Sequence, residues 1–230
     1  MIRFSTTLLS SVGKKIYMSV MGLLLSGFLL VHLIGNLALL RPDKDPFNKY
    51  AHFLTHSLGN VIFAAEIILA LFFIIHFVYG IIVTLDNWRA RPIGYKMVTN
   101  AGHTSKKTIF SSTMIYTGLL ILIFLVIHLR DLKYGEIIMY TTKDGAYIRD
   151  LYTLTMQFFG NIWNVLFYEL IMILIGFHLA HGVWSAFQSL GINGPRFIKI
   201  IMIVGYVFAA LISLGFFIFP MWIYLTGGAA

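Results

Sequence analysis

The sequence predicts an all-α integral membrane protein with five transmembrane helices, and three observations carry that prediction. Of its 230 residues, 59% are hydrophobic and only 11% are charged, whereas a soluble domain takes about a quarter of its residues from Asp, Glu, Lys and Arg. Such a chain cannot cover a water-facing surface with polar groups. The apolar residues gather into five stretches of about 20 residues or more, the length that crosses a hydrocarbon core of about 30 Å. Each stretch is bounded by charged residues, proline or glycine.

Taken in order, the first span covers Ile16–Leu40, preceded by Lys14-Lys15 and closed by Arg41-Pro42-Asp43. It is longer than the apolar region of a signal peptide and has no small-residue cleavage pattern after it, so it is expected to persist as a helix. The second span, Val61–Leu85, ends at Asp86 through Arg91-Pro92, and the third, Ile109–Leu129, at Arg130-Asp131. The fourth and fifth, Trp163–Phe187 and Ile200–Leu225, are separated by Gly191 to Arg196. All five are expected to form one transmembrane domain over residues 1–230.

The basic residues decide orientation. Arg3, Lys14, Lys15, Arg89, Arg91, Lys96, Lys106, Lys107, Arg196 and Lys199 lie on one side, and Arg41, Lys44, Lys49, Arg130, Lys133, Lys143 and Arg149 on the other. Because the positive-inside rule counts Lys and Arg, this predicts a cytoplasmic N-terminus and an external C-terminus. The formal charge of +8 is spread over short connections between spans, which topology explains, and no nucleic-acid partner is expected. The absence of cysteine excludes disulfides, thiolate zinc sites, cysteine-ligated iron–sulfur clusters and covalent c-type haem in this chain.

Among the eight histidines, His32, His76, His128 and His178 fall one each within spans one to four. An ionisable side chain at that depth marks a functional site by default. Spans one and three run outward with His32 and His128 late in them. Spans two and four run inward, with His76 and His178 each roughly 13 Å from the inner end at about 1.5 Å per residue. The four therefore sort into an inner and an outer pair. Two histidines from facing helices at one depth are what bis-axial ligation of a haem iron requires, so two pairs predict two haems stacked across the membrane. Gly80 and Gly182, each four residues after an inner histidine, offer room beside it. His181 competes with His178 but breaks the matched depth with His76. His52 and His56 form an i, i+4 pair in the first outer connection, and His103 lies in a polar inner loop. Trp88 and Trp184 read as interfacial aromatics.

The strings VHLIGN around His32, FIIHFVYG around His76, LVIHL around His128 and GFHLAHGVWSAF around His178 resemble the di-haem cytochrome b membrane subunit of succinate:menaquinone oxidoreductases and fumarate reductases. The most specific piece is HxxxGxWS from His178 to Ser185, joined by Phe47-Asn48 and Ala51-His52-Phe53 in the first outer connection. The resemblance covers nearly the whole chain. It implies a bacterial inner membrane complex in which a flavoprotein with FAD and an iron–sulfur subunit dock on the cytoplasmic face. It also implies two haem b, an inner one on His76 and His178 and an outer one on His32 and His128, that pass electrons to menaquinone near the outer face.

In some fumarate reductases of that family an acidic residue beside the fourth-span ligand carries protons, but here Gly176, Phe177 and Leu179 flank His178. The intramembrane acids are Glu66 and Glu169, both in the outer leaflet. Glu66 lies about 80° from His76 by helix phase and Glu169 about 180° from His178, which makes Glu66 the candidate proton donor to a quinone. Asn36, Asn48 and His52 are further quinone candidates, and Arg130 is a candidate partner for a haem propionate. Competing readings are the cytochrome b anchor of another quinone-linked dehydrogenase or hydrogenase, a non-haem di-iron membrane enzyme, and a transporter. The first has different strings around its ligands and the second needs HxxHH boxes that this sequence lacks. The paired depths have no purpose in the third.

Overall fold

A computed structural model describes residues 10–90, 109–192 and 194–227. Arg3, Arg91, Lys96, His103, Lys106 and Lys107 lie outside them. The five expected spans are all helical: α1 is Ser11–Asn36, continued by a 3-10 turn at Leu37–Leu40. A short helix α2, Asp45–His52, comes next, then the second span as α3, Gly59–Arg89. The third span is α4, Ile109–His128, continued by a π-helical turn at Leu129–Lys133. A hairpin of β1, Met139–Thr141, and β2, Tyr147–Arg149, leads into α5, Leu151–Phe159. The fourth and fifth spans are α6, Ile162–Ser189, and α7, Pro195–Leu225.

The protein is thus all-α in its main elements, with five helices long and apolar enough to cross a bilayer. Their outward faces are apolar throughout, as at Val61, Phe63, Ile203 and Val207, each more than 60% exposed. In water these faces would be untenable; against lipid they are the expected solution, since a helix satisfies its backbone internally. The most buried of the five is α6, whereas α3 has no buried residue.

The sequence does not announce α2, the hairpin and α5, which fill the connections after α1 and α4. Pro46 in the first turn starts α2, where its missing N–H is not needed. The antiparallel hairpin pairs Met139 with Arg149 and Thr141 with Tyr147, and Gly145 at φ 87° turns the chain where a side chain would be strained. Asp150 caps α5 by accepting from the Thr153 N–H at 3.0 Å.

Asp150 also holds this region together. Its carboxylate accepts from Lys44 at 2.6 Å, Asn48 at 2.8 Å and the Thr153 hydroxyl at 2.8 Å. The Asn48 carbonyl oxygen accepts in turn from the Tyr152 N–H at 2.8 Å. Arg149 donates to the carbonyls of Lys133, Gly135 and Glu136 at 2.8 to 3.2 Å, tying the hairpin to the end of α4. Lys49 pairs with Asp45 and Asp144, and Lys143 with Asp43. Asp43, Asp45, Asp144 and Asp150, interleaved with the second group of basic residues, are therefore their partners. At the end of α3, Asp86 pairs with Lys14 of α1 at 2.8 Å.

The chain divides into two compact units. One comprises the described parts of Met1–Gly27, Leu69–Leu119 and Phe177–Ala209; the other comprises Phe28–Ile68, Leu120–Gly176 and the described part of Ala210–Ala230. His76 and His178 belong to the first, and His32 and His128 to the second.

Candidate functional site

In the first unit the imidazoles of His76, on α3, and His178, on α6, meet with ring centroids 6.2 Å apart and planes at 67°. Nδ1 of His76 lies 2.9 Å from the Met18 carbonyl. A carbonyl only accepts, so Nδ1 carries the proton and Nε2 keeps its lone pair. Nδ1 of His178 lies 3.1 Å from the hydroxyl of Thr117 on α4. That hydroxyl also lies 3.2 and 3.1 Å from the Thr113 and Met114 carbonyls; with its single proton given to either, its lone pair accepts from Nδ1–H. Both rings are left with Nε2 as the nitrogen free to ligate, the tautomer that second-shell acceptors fix at metal sites.

Glycines on neighbouring helices seat these rings. A Cβ at Gly22 of α1 would lie 2.9 Å from Cε1 of His76, closer than real side chains approach, and one at Gly118 of α4 would lie 3.6 Å from Cε1 of His178. Gly80 and Gly182, singled out by their spacing from the histidines, instead face Met18 and Met114, where an added Cβ makes only ordinary contact at 4.0 and 3.9 Å.

In the second unit His32 of α1 and His128 of α4 have centroids 6.0 Å apart and planes at 87°. His128 Nδ1 is 3.3 Å from the hydroxyl of the buried Tyr168 of α6. Beside His32, the Asn36 amide donates to the His32 carbonyl at 2.7 Å and lies 3.4 Å from Nδ1. Phe28 stacks on His32 and Phe124 packs on His128, with centroids 5.3 and 5.4 Å away. From α7, Phe216 packs on His32 at 5.7 Å.

One metal ion held between two imidazoles by bonds of about 2 Å, each nitrogen about 1 Å from its ring centre, sets the centroids about 6 Å apart. Both pairs meet that separation, each from two different helices. Among the described residues no three His, Asp or Glu side chains converge as a metal cluster; what each pair offers is two imidazoles at the separation that ligation of one ion by two histidines needs.

A signal present in the sequence marks this arrangement. Met18, Gly22, Phe28 and His32 in span one recur as Met114, Gly118, Phe124 and His128 in span three, giving M-x3-G-x5-F-x3-H twice at one offset. His76-x3-Gly80 recurs likewise as His178-x3-Gly182. Read as a repeat, the pattern points to Gly22 and Gly118; Thr117 and Tyr168 have no such signal.

The remaining candidates each have contacts of their own. Glu66 pairs with Lys133, at the π-helical turn after α4. Asn48 is fully buried, its amide donating to Asp150 and its carbonyl oxygen accepting from the Tyr152 N–H. Arg130 folds back on Asp131 through two bonds of 2.5 and 2.9 Å rather than reaching toward His128. His52 stacks on His56 at 4.4 Å. The ring that meets His76 is that of His178; His181 packs edge-on against Trp184 at 5.0 Å, and its buried Nδ1 has no partner. Trp184 is 2% exposed, so it fills the interior beside His181 instead of anchoring at an interface, as the exposed Trp88 can. Glu169 is 6% exposed, and neither of its carboxyl oxygens has a partner. No family model, curated protein or solved structure matches this chain.

Proposed function

We propose that this protein is the membrane-anchor cytochrome b of a succinate:quinone oxidoreductase, in which electrons pass between an iron–sulfur partner and menaquinone by way of two bis-histidine b haems. The observation that supports it most is the pair of imidazole pairs, each with its rings about 6 Å apart as one iron between them requires. In this reading Nε2 of His76 and of His178 hold one iron, and the imidazoles of His32 and His128 hold the other. Haem supplies reversible one-electron chemistry when bound, and its potential answers to the hydrogen bonds behind the ligands. The Met18 carbonyl and the Thr117 hydroxyl accept from the first pair, and Tyr168 meets His128 in the second.

The succinate chemistry then belongs to partner subunits, a flavoprotein with FAD and an iron–sulfur protein, docked at the cytoplasmic end where the N-terminus lies. Quinone reduction takes two electrons and two protons, and Asn36, His52 and Glu66 are the residues proposed to meet the quinone. A dithionite-reduced minus oxidised spectrum of the purified chain, with haem quantified per polypeptide, tests the reading. Two b haems per chain are expected; a chain without haem, or with iron in another form, overturns it. Co-purification of a succinate-oxidising flavoprotein with the tagged chain tests the partner assignment.

A further inference from the structure

We propose that the groove between the outer end of α1 and Tyr50 of α2 is a specific site for one anionic phospholipid, its phosphate on Arg41 and an acyl chain on the α1 face below. This inference stands apart from the haem reading.

The charge inventory points to Arg41. Seven basic residues occupy the connections that follow α1 and α4, and six of them have partners among the described residues. Lys44 has Asp150, Lys49 has Asp45 and Asp144, and Lys143 has Asp43. Arg130 has Asp131, Lys133 has Glu66, and Arg149 is spent on backbone carbonyls. Only the guanidinium of Arg41 has no such partner; the backbone carbonyl of Arg41, by contrast, accepts from Tyr152 at 3.0 Å, which fixes the residue in place.

Beside Arg41 runs a groove of about 440 Å³, within the range of small-ligand clefts. Its floor is made of small residues, Gly35 and Ala38, and its flank of Val31 and Ile34, each about 60% exposed. Positions 31, 34 and 35 share one stripe of α1, and Ala38 follows in the 3-10 turn that continues it, so the groove runs along α1 toward the bilayer interior. Tyr50 forms the other wall: its hydroxyl lies 2.8 Å from where a Cβ on Gly35 would stand, so only glycine lets it seat there. The groove is apolar along its length and cationic at its rim. That is the polarity of a single lipid, phosphate outward and chain inward. No carboxylate lines it to receive an ammonium, so charge complementarity favours a headgroup of net negative charge over a zwitterionic one.

Native mass spectrometry of the full chain in mixed micelles tests the site, with phosphatidylglycerol and phosphatidylcholine as the two probes. The expected result is one phosphatidylglycerol retained in preference to phosphatidylcholine. In Arg41→Gln its retention should fall about fivefold, the contribution of one basic side chain at a charged membrane surface. Arg41→Lys should keep much of it. Ala38→Phe, which fills the floor without touching the charge, should displace the same lipid, and it decides the matter if Arg41→Gln does not fold. Equal retention of the two probes, or retention unchanged in both Arg41→Gln and Ala38→Phe, overturns the proposal. Displacement of the phosphatidylglycerol by a stoichiometric menaquinone analogue also overturns it, by showing the groove to be a quinone site.

Discussion

Gly22 sits directly against the imidazole of His76, with space for a hydrogen and nothing more: a Cβ there would come within 2.9 Å of Cε1 and 3.1 Å of Nδ1. The same ring is held from Nδ1 by the carbonyl of Met18, one turn earlier on α1. One turn of α1 therefore fixes both the place and the tautomer of an imidazole on α3. Gly22→Ala must push that ring off its acceptor. If the proposed haems are bound, the variant is expected to lose that of the His76–His178 pair and to keep that of His32–His128, read as a fall from two haems per chain to one. Gly118→Ala meets His178 at an unstrained 3.6 Å and should retain both.

The pairing itself makes a sharper prediction. On the proposed di-haem reading, replacing His76 or His178 by Ala should remove one haem, and replacing His32 or His128 the other. Loss of the same haem from the His32 and His76 single variants contradicts the pairing.

Thr117 accepts from His178 and donates to the backbone, so Thr117→Val leaves Nδ1–H without an acceptor while keeping shape. Loss of a second-shell partner of this kind costs about 10–100-fold in metal affinity. Haem retention during dilution should drop by that order in Thr117→Val and recover in Thr117→Ser, whose hydroxyl restores the bond.

Asp150 gives the hairpin and α5 region its dependence on pH. Burial pushes its carboxyl up, but donation from Lys44, the Thr153 N–H, Asn48 and the Thr153 hydroxyl outweighs burial and holds it below the ordinary carboxylate range. A carboxyl depressed in the folded state stabilises above its unfolded value, about 3.9, and that stabilisation is lost as pH falls through the lowered one. Hydrogen-exchange protection of the Tyr152 and Thr153 amides should therefore hold from neutrality down to about pH 4 and decline below it. Asn48→Ala leaves the buried Tyr152 N–H and one Asp150 oxygen short of a partner and should destabilise this region by about 1–3 kcal/mol at neutral pH.

Glu169 is the converse case. It shares a helical face with Met172 and Gly176, which are pinned to α7 by Ser213, whose hydroxyl donates to the Met172 carbonyl at 2.7 Å. Two turns further along α7, Pro220 lacks the N–H that would bond the Phe216 carbonyl. A carboxyl without a partner there costs stability, so Glu169→Leu should raise the thermal midpoint in detergent while haem content stays at the parent value. A lowered midpoint would show that the carboxyl is satisfied in the folded protein.

Five spans, their order and their approximate limits are legible in the sequence, because a bilayer demands about 20 apolar residues per crossing and penalises charges between the ends. The four intramembrane histidines and their division into two pairs follow from counting residues inward from those ends, and each pair meets as that count requires. Depth along a helix is a one-dimensional quantity, and a sequence carries it directly. Which side chains support the pairs is different. Gly22 and Thr117 act on histidines 54 and 61 residues away, and Tyr168 acts on a histidine of another helix. Those contacts depend on the rotation and lateral packing of helices that are apolar all round, so periodicity marks no preferred face. The same holds for the partners of Glu66 and Asn48: residue type singles these two out, and the ion pair to Lys133 and the bonds to Asp150 and Tyr152 come from segments far along the chain. The sequence by itself determined the membrane class, the spans and the depth of each histidine; the tertiary structure decided which glycine, hydroxyl and carboxylate stand beside each, because only packing brings distant turns to one level and one azimuth.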